Sequence, residues 1–198
     1  RQLLARRRFN PVQHDAAVQI RRPARRRVER AILHEHRAVV EPARCAAVEA
    51  QEQGKGNEGI YCGAAITLKD GTIITGSNSA LMHAASSLVL HAIKHLAGIP
   101  EKIKLLPPYI TDSVKRLKTE IMNEKNVSFD LEETLIALTV SAATNPTAQL
   151  ALEQLKALSG CEVHLTHVPS RGDEAGLRKL GVNLTTEPVM AGRNLLDG

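Results

Sequence analysis

Two groups of polar residues stand where helices are predicted to begin, and both are suited to binding an anion. Asn78, Ser79 and His83 lead into one predicted helix, and Asn145 and Thr147 open another. The first N–H groups of a helix lack partners within it and carry partial positive charge, so helix starts attract anions. If both starts face one cleft, these five residues would bind a phosphate, a carboxylate or a nucleotide. The alternative is structural: Ser79 and Asn145 cap their helices, and His83 is a packed polar residue.

The other reactive residue types lack the neighbours that catalysis or metal binding requires. Cys62 and Cys161 fall in predicted strands, where cysteine usually behaves as a small buried hydrophobe rather than a nucleophile. Together with Cys45 they form an odd, widely spaced set, which predicts a reduced, cytoplasmic protein rather than a disulfide framework. His91 and His95 have the i, i+4 spacing of metal-binding helices but no adjacent glutamate. We therefore predict no metal and no cofactor.

Strands alternate with helices in the pattern of apolar residues between about residues 41 and 187. A hairpin is predicted from Ile60–Leu68 and Thr72–Thr75, joined at Asp70-Gly71, where glycine allows a positive φ. A helix with apolar residues at helical spacing follows and ends before Gly98. The later predicted elements are a helix from Pro146, a strand over Cys161–Val168, a helix over Asp173–Leu180 and a strand over Val182–Thr185. This alternation favours an α/β three-layer domain.

Three further segments are assigned on weaker patterns. Residues 28–53 look helical, but Pro42 is expected to break or restart that helix. An extra helix is predicted around Thr111–Asn123, after the His83 helix, with apolar residues on one face: Ile110, Val114, Leu117 and Ile121. Leu135–Val140 is short and partly β-branched, which favours a buried strand over a helix.

Charge is distributed unevenly along the 198 residues. The first 54 residues carry 12 basic side chains, all of them arginine, and six acidic ones, whereas the rest of the chain carries 14 basic and 15 acidic ones. An arginine-rich arm could bind nucleic acid through phosphate contacts, and this is our third functional hypothesis. With two Phe, two Tyr and no Trp, a binder that stacks bases on aromatic rings is disfavoured. We also expect no membrane segment, because no apolar run is long enough.

Part of the chain resembles the cytidine-deaminase-like fold. The resemblance rests on Gly63–Gly71, on Met82-His83-Ala84-Ala85, and on the later segments Asn145-Pro146, Asp173–Leu177 and Leu180-Gly181-Val182. It implies a three-layer α/β sandwich of that topology with one inserted helix. Deaminases hold zinc with a His-Ala-Glu and a Pro-Cys-x-x-Cys motif. His83 matches the histidine, but Ala85, Thr147 and Leu150 stand at the glutamate and cysteine positions, so zinc deaminase chemistry is not expected.

A second resemblance covers most of the chain and is carried by many short segments in order. They are Gly76–Ser79, Ala84–Ser87, Leu96–Ile99, Leu117–Glu120, Leu135–Leu138, Thr144–Pro146 and Arg178–Thr185. These segments are similar to the C-terminal portion of a bacterial family called domain of unknown function 1846, or UPF 0371, whose members are much longer. The resemblance implies an α/β domain over residues 41–187. Residues 1–40, an arginine-rich arm or helical segment, are not matched to the family, and residues 188–198 form a C-terminal tail.

The resemblance to this family supplies no reaction, so the functional hypotheses stay open. The first is a non-catalytic or assembly module that packs on the N-terminal part of a longer chain or on its own copies. The second is binding or catalysis of a small anionic ligand at the converging helix starts. Nucleic-acid binding through the arm is the third.

Overall fold

A computed structural model describes residues 37–191, which form six α-helices and one four-stranded sheet. Residues 1–36 of the predicted arm and 192–198 of the predicted tail lie outside the described residues. Within 37–191, no helix is long and apolar enough to cross a membrane. The elements, in chain order, are α1 (Val40–Glu52), β1 (Gly63–Thr67), β2 (Ile73–Ser77), α2 (Ala84–Leu96), α3 (Pro108–Arg116), α4 (Leu131–Ala142), α5 (Pro146–Glu153), β3 (Glu162–Leu165), α6 (Arg171–Lys179) and β4 (Asn183–Thr186).

The sheet has the strand order β2-β1-β3-β4. β1 is antiparallel to both of its neighbours, so that Ala65 pairs with Thr75 on one side and with His164 on the other. β3 and β4 are parallel, and α6 is the helix that connects them. Gly71 has a φ of 87° in the turn between β1 and β2. The predicted hairpin and the predicted α/β class are therefore confirmed.

Small residues allow helices to lie close to both faces of the sheet. On one face, Ala65 packs with Val39 and Ala43 beside α1. A side chain at Gly63 would collide with the Ala43 carbonyl, and one at Gly76 would collide with the α2 backbone on the opposite face. The sheet therefore lies between α1 and a larger helical layer, and that second side holds the main core.

The starts of three helices are brought together on the larger side of the sheet. The segment before α4 pairs with the segment before α2: the Phe129 N–H donates to the Leu81 carbonyl, and the His83 N–H donates to the Phe129 carbonyl, each at 2.8 Å. α4 also packs against α6, where Gly176 makes room for Leu131. Loop pairing and helix packing thus place the beginnings of α2, α4 and α6 next to one another.

The prediction of a strand at Leu135–Val140 is wrong, because these residues lie in the middle of α4. The Asp130 carboxylate accepts from the Glu133 N–H while the Glu133 carboxylate accepts from the Asp130 N–H, which is a capping box that starts the helix. Ile136 and Val140 on its outer side are 66% and 55% exposed. Because large apolar residues lie on both the buried and the exposed side of α4, its sequence does not show a clear helical period.

Two helices differ in detail from their predictions. Pro42 does not break α1, because it lies in the first turn, where its missing N–H would have had no partner. α3 ends in a π-helical turn, Leu117–Ile121. The wider turn rotates Lys118 inward, where its ammonium donates to Glu133 and to the Ser128 carbonyl. Leu117 and Ile121 are consequently exposed rather than on the buried face that the pattern predicted.

Candidate functional site

A cavity of about 990 Å³ opens where the starts of α2 and α6 meet. The loop before β1 and the segment after β4 close it from two sides. Among the lining residues that the structure describes there is no lysine or arginine, and the acidic side chains are Glu58 and Asp173. The lining includes Cys62, Asn78, Ser79, His83, Ala84, His167, Ser170 and Asp173.

Asp173 is a buried carboxylate in the wall of the cavity, and both of its oxygens are hydrogen-bonded. It is 1% exposed, and one carboxylate oxygen lies 2.7 Å from His83 Nδ1 and 2.8 Å from Ser170 Oγ. The other oxygen accepts from the Leu131 N–H at 2.9 Å. Since a carboxylate only accepts, His83 must place its proton on Nδ1, which leaves Nε2 free of that contact. One buried side chain therefore fixes the tautomer and orientation of His83.

The environment of His83 favours its protonated form. Burial lowers the pKa of His83, but the hydrogen bond and the negative charge of Asp173, helped by Asp130, outweigh burial and raise this pKa above 6.5. The imidazole is partly exposed, with 23% of its side chain accessible. The raised pKa and the partial exposure together leave the ring of His83 accessible from the cavity.

His167 is a second imidazole in the cavity, with opposite properties. It is 5% exposed, and its Nδ1 has no hydrogen-bond partner among residues 37–191. Burial lowers the pKa of His167, and the positive charge of His83 adds to this, against the opposing charge of Asp173. A buried imidazole with a lowered pKa and an unsatisfied nitrogen thus lies in the same cavity as His83, whose pKa is raised.

The surroundings of Cys62 disfavour its thiolate form. Burial, together with the charge of Asp173, raises the pKa of the Cys62 thiol to about 11, so the thiolate is scarce at neutral pH. Burial also raises the pKa of Cys161. Both cysteines are buried, which confirms the sequence-based interpretation of them as packed side chains.

Three of the five residues predicted to bind a ligand line the cavity: Asn78, Ser79 and His83. Asn78 has a structural role as well, because its side chain accepts from the Cys62 N–H at 2.8 Å and donates to the Ile60 carbonyl at 3.0 Å. Ser79 accepts from two following N–H groups through its hydroxyl. These two side chains shape the turn that leads to His83.

Asn145 and Thr147 are not among the residues that line this cavity. Asn145 caps α5 by accepting from the Thr147 N–H at 3.0 Å, as the structural alternative predicted. The 12 residues of α4, about 18 Å of helix, lie between the cavity end of α4 and the start of α5. The helix start that meets α2 at the cavity is that of α6, with Ser170 and Asp173.

Sequence reasoning did not select Asp173, Ser170 or His167. A signal was present, since Pro169-Ser170-Arg171-Gly172-Asp173 has the spacing of Pro-Cys-x-x-Cys and follows β3. These residues do not fit a zinc ion: a serine replaces one cysteine, and Asp173 is already bonded to three donors. Among residues 37–191, no group of three histidine, cysteine or acidic side chains is arranged to hold a metal.

The Asp173→Asn substitution should lower the pKa of His83, because the amide hydrogen-bonds without the negative charge that favours imidazolium. A pH titration of the His83 ring by ¹H–¹³C NMR measures this directly. The folded pKa of His83 is raised, so the pair stabilises the fold below pH 6.5, and this contribution is lost as pH rises through the folded pKa. In the Asp173→Asn protein, the free energy of unfolding should therefore depend less on pH over this range.

The Glu187→Gln variant is the control for this titration, because Glu187 is the carboxylate beside a different histidine, His164. This variant should leave the pKa of His83 unchanged. An Asp173→Asn protein that folds and titrates at His83 as the parent does would contradict the assignment of Asp173 as the group that sets this pKa.

Most of the chain matches a known protein family. Residues 35–196 match the family described as "Domain of unknown function DUF1846, C-terminal". A UPF0371 protein of Clostridium botulinum (strain Alaska E43 / Type E3) is 46% identical over 152 residues, which are 77% of this chain and 30% of that protein. A UPF0371 protein of Clostridioides difficile (strain 630) is 42% identical over 161 residues, which are 81% of this chain and 32% of that protein. The chain spans about a third of the length of these relatives, and it belongs to the DUF1846 C-terminal domain family.

Proposed function

We propose that this domain binds a small polar ligand in the cavity and exchanges a proton with it at His83 Nε2. The observation that carries the proposal is the bond between His83 Nδ1 and the buried carboxylate of Asp173, at 2.7 Å. It holds the ring in one tautomer and supports the charged form, as a general acid–base group requires. Ser170 and the Leu131 N–H hold Asp173 in turn, so the pair is rigid before a ligand arrives.

The same residues support the proposal of a deaminase-like scaffold that works without zinc. The hairpin, the helix that begins after His83, the strand β3, the helix that begins after Pro169 and the strand β4 occur in the order that this resemblance implies. On this assignment, Ser170 and Asp173 take the two cysteine positions in place of Thr147 and Leu150, because the element before α5 is the helix α4 and not a strand. Asp173 then orients His83 where the two residues would otherwise share a metal.

Diethyl pyrocarbonate, which acylates unprotonated imidazole nitrogens, tests whether His83 Nε2 is open to a ligand. The acylated residues are located by mass spectrometry over a range of pH. We expect acylation of His83, with a rate that rises as pH passes its raised pKa and with a lower midpoint in Asp173→Asn. The internal control is His164, which is buried and bonded through Nδ1 to Thr185 and through Nε2 to Glu187.

His164 should stay unmodified under conditions that modify His83. If His83 resists the reagent as fully as His164 does, Nε2 is closed to solutes and the proposed proton exchange is refuted.

A second function, assembly, is supported by the outer side of α4. Ile136 and Val140 lie one helical turn apart and are both mostly exposed, although the large apolar side chains of a surface helix normally face the core. About two thirds of each matched relative lies beyond the part similar to this chain. We propose that the outer side of α4 packs on that remaining part of the longer family chains.

The double substitution Ile136→Glu/Val140→Glu should abolish capture of the separately produced remaining part of the Clostridioides difficile relative by this chain. The matched control is Val48→Glu, which alters an exposed apolar residue of α1 and should leave capture unchanged. Analytical ultracentrifugation of the chain alone measures its oligomeric state. A dimer that the double substitution dissociates would identify a second copy as the occupant and overturn the proposal.

A further inference from the structure

His167 differs from the other buried polar side chains in the wall of the cavity. The Asn78 amide both accepts from and donates to backbone groups, and the Ser128 hydroxyl donates to Asn126 at 2.6 Å. Asp173 uses both of its carboxylate oxygens. His167 is 5% exposed and lines the same cavity, yet its ring makes no hydrogen bond to any residue that the structure describes. Because buried polar side chains normally have a partner, this ring indicates a position for a bound molecule.

The two nitrogens of the His167 ring lie in different surroundings. Nδ1 is fully enclosed by protein and has no hydrogen-bond partner within residues 37–191. Nε2 also lacks a partner there, but it is not enclosed, so it is the nitrogen through which the ring meets the open space of the cavity. A molecule in the cavity can therefore reach His167 at Nε2 and not at Nδ1.

The enclosed nitrogen decides which tautomer His167 adopts. A neutral imidazole carries one proton, which makes one nitrogen a donor and leaves the other as an acceptor. Buried N–H groups without an acceptor are rarer in proteins than acceptors with an unused lone pair. The proton of neutral His167 therefore belongs on Nε2, where water or a ligand can accept it. This tautomer is the opposite of the one that Asp173 imposes on His83.

The surroundings of His167 also disfavour a second proton. A charged ring would have to carry that proton on Nδ1, where no acceptor in the described part of the chain receives it. Burial lowers the pKa of His167, and the positive charge of His83 lowers it further, against the opposing charge of Asp173. His167 consequently presents a neutral N–H donor to the cavity near neutral pH.

We infer that His167 is a ligand-binding residue whose Nε2–H group donates a hydrogen bond to an uncharged acceptor oxygen of the carbonyl type. This inference rests on the proposed function and names the chemical class of the ligand. A neutral imidazole N–H can bind and polarise a carbonyl oxygen. The lining that the structure describes contains Glu58 and Asp173 but no lysine or arginine, so the cavity suits an uncharged carbonyl better than a carboxylate or a phosphate. Since His83 lines the same space, His167 would hold the oxygen of the molecule that exchanges a proton at His83.

The tautomer of His167 is tested in the parent protein without any ligand. Two-bond ¹H–¹⁵N correlation spectra of the ¹⁵N-labelled chain should show a protonated Nε2 and a bare Nδ1 for this ring. A proton on Nδ1, whether alone or together with one on Nε2 at neutral pH, would overturn the inference. The donor that faces the cavity would then be missing or charged.

Two small molecules of nearly the same shape test the ligand class. Acetamide offers a carbonyl oxygen, whereas acetamidinium carries only N–H donors at that end and is positively charged. We expect acetamide to shift the ¹⁵N signal of His167 Nε2 saturably. Acetamidinium should leave that signal unchanged, although Glu58 and Asp173 would attract a cation. An Nε2 signal that acetamide does not shift, or that acetamidinium shifts equally, would overturn the inference.

His167→Leu and His167→Gln form a matched pair of variants. Leucine approximately keeps the volume and has no donor, whereas the glutamine amide can place an N–H group near the position of Nε2. Acetamide binding is followed at the amide signal of Ser79, which also lines the cavity. Binding should weaken about fivefold in His167→Leu, as expected for one hydrogen bond between uncharged groups, and should be largely kept in His167→Gln.

The control for these variants is His91→Gln, which alters a histidine of α2 that is not among the residues lining the cavity. It should leave acetamide binding unchanged. Equal acetamide affinity in the parent and His167→Leu proteins would show that the oxygen binds elsewhere and would overturn the inference. If His167→Leu fails to fold, the measurements on the parent protein still decide.

The outcomes separate this inference from the proposed proton exchange. Acetamide that shifts His167 Nε2 in a protein whose His83 resists diethyl pyrocarbonate would support the carbonyl site and refute proton exchange. Acylation of His83 together with an Nε2 signal of His167 that acetamide does not shift would leave proton exchange standing and overturn the carbonyl site.

Discussion

The arrangement of the cavity depends on the buried carboxylate of Asp173. Its two oxygens connect the beginnings of three helices, through His83 at α2, Leu131 at α4 and Ser170 at α6. Burying a carboxylate is strongly unfavourable unless donors replace water, and here three donors do so. Each hydrogen bond to a charged group is worth roughly 1.5–3 kcal/mol. The interaction that holds these helix starts together is therefore also the one that orients His83.

Small residues permit this convergence. Gly172 precedes Asp173 and lies against the Asp130 carboxylate, where any side chain would collide. Gly176, one turn later, admits Leu131. The start of α6 can therefore approach the start of α4 closely enough for the Asp173 side chain to reach a backbone N–H across the gap. The glycines that allow this close packing therefore lie beside Asp173, whose carboxylate makes the hydrogen bonds between the helix starts.

Local signals in the sequence were sufficient for most of the sheet and for part of the site. The Asp-Gly turn predicted the β1–β2 hairpin, and the residues before α2 correctly indicated a polar helix start that includes His83. The partner of His83 could not be found in this way, because Asp173 lies 90 positions away. Asn145 resembled Ser79 as a capping residue, and only tertiary packing shows that α4 separates the two helix starts. The sequence also did not predict α4 as a helix, because Ile136 and Val140 on its outer side are apolar although they are exposed.

Two-bond ¹H–¹⁵N correlation spectra of the imidazole ring, recorded above its raised pKa, show whether Asp173 fixes the tautomer of His83. The structure predicts a protonated Nδ1 and a bare Nε2 for neutral His83, because the Asp173 carboxylate accepts at Nδ1. In the Asp173→Asn protein this strict preference should weaken. A neutral His83 with its proton on Nε2 in the parent protein would contradict the account, since Nδ1 would then have no proton to donate to Asp173.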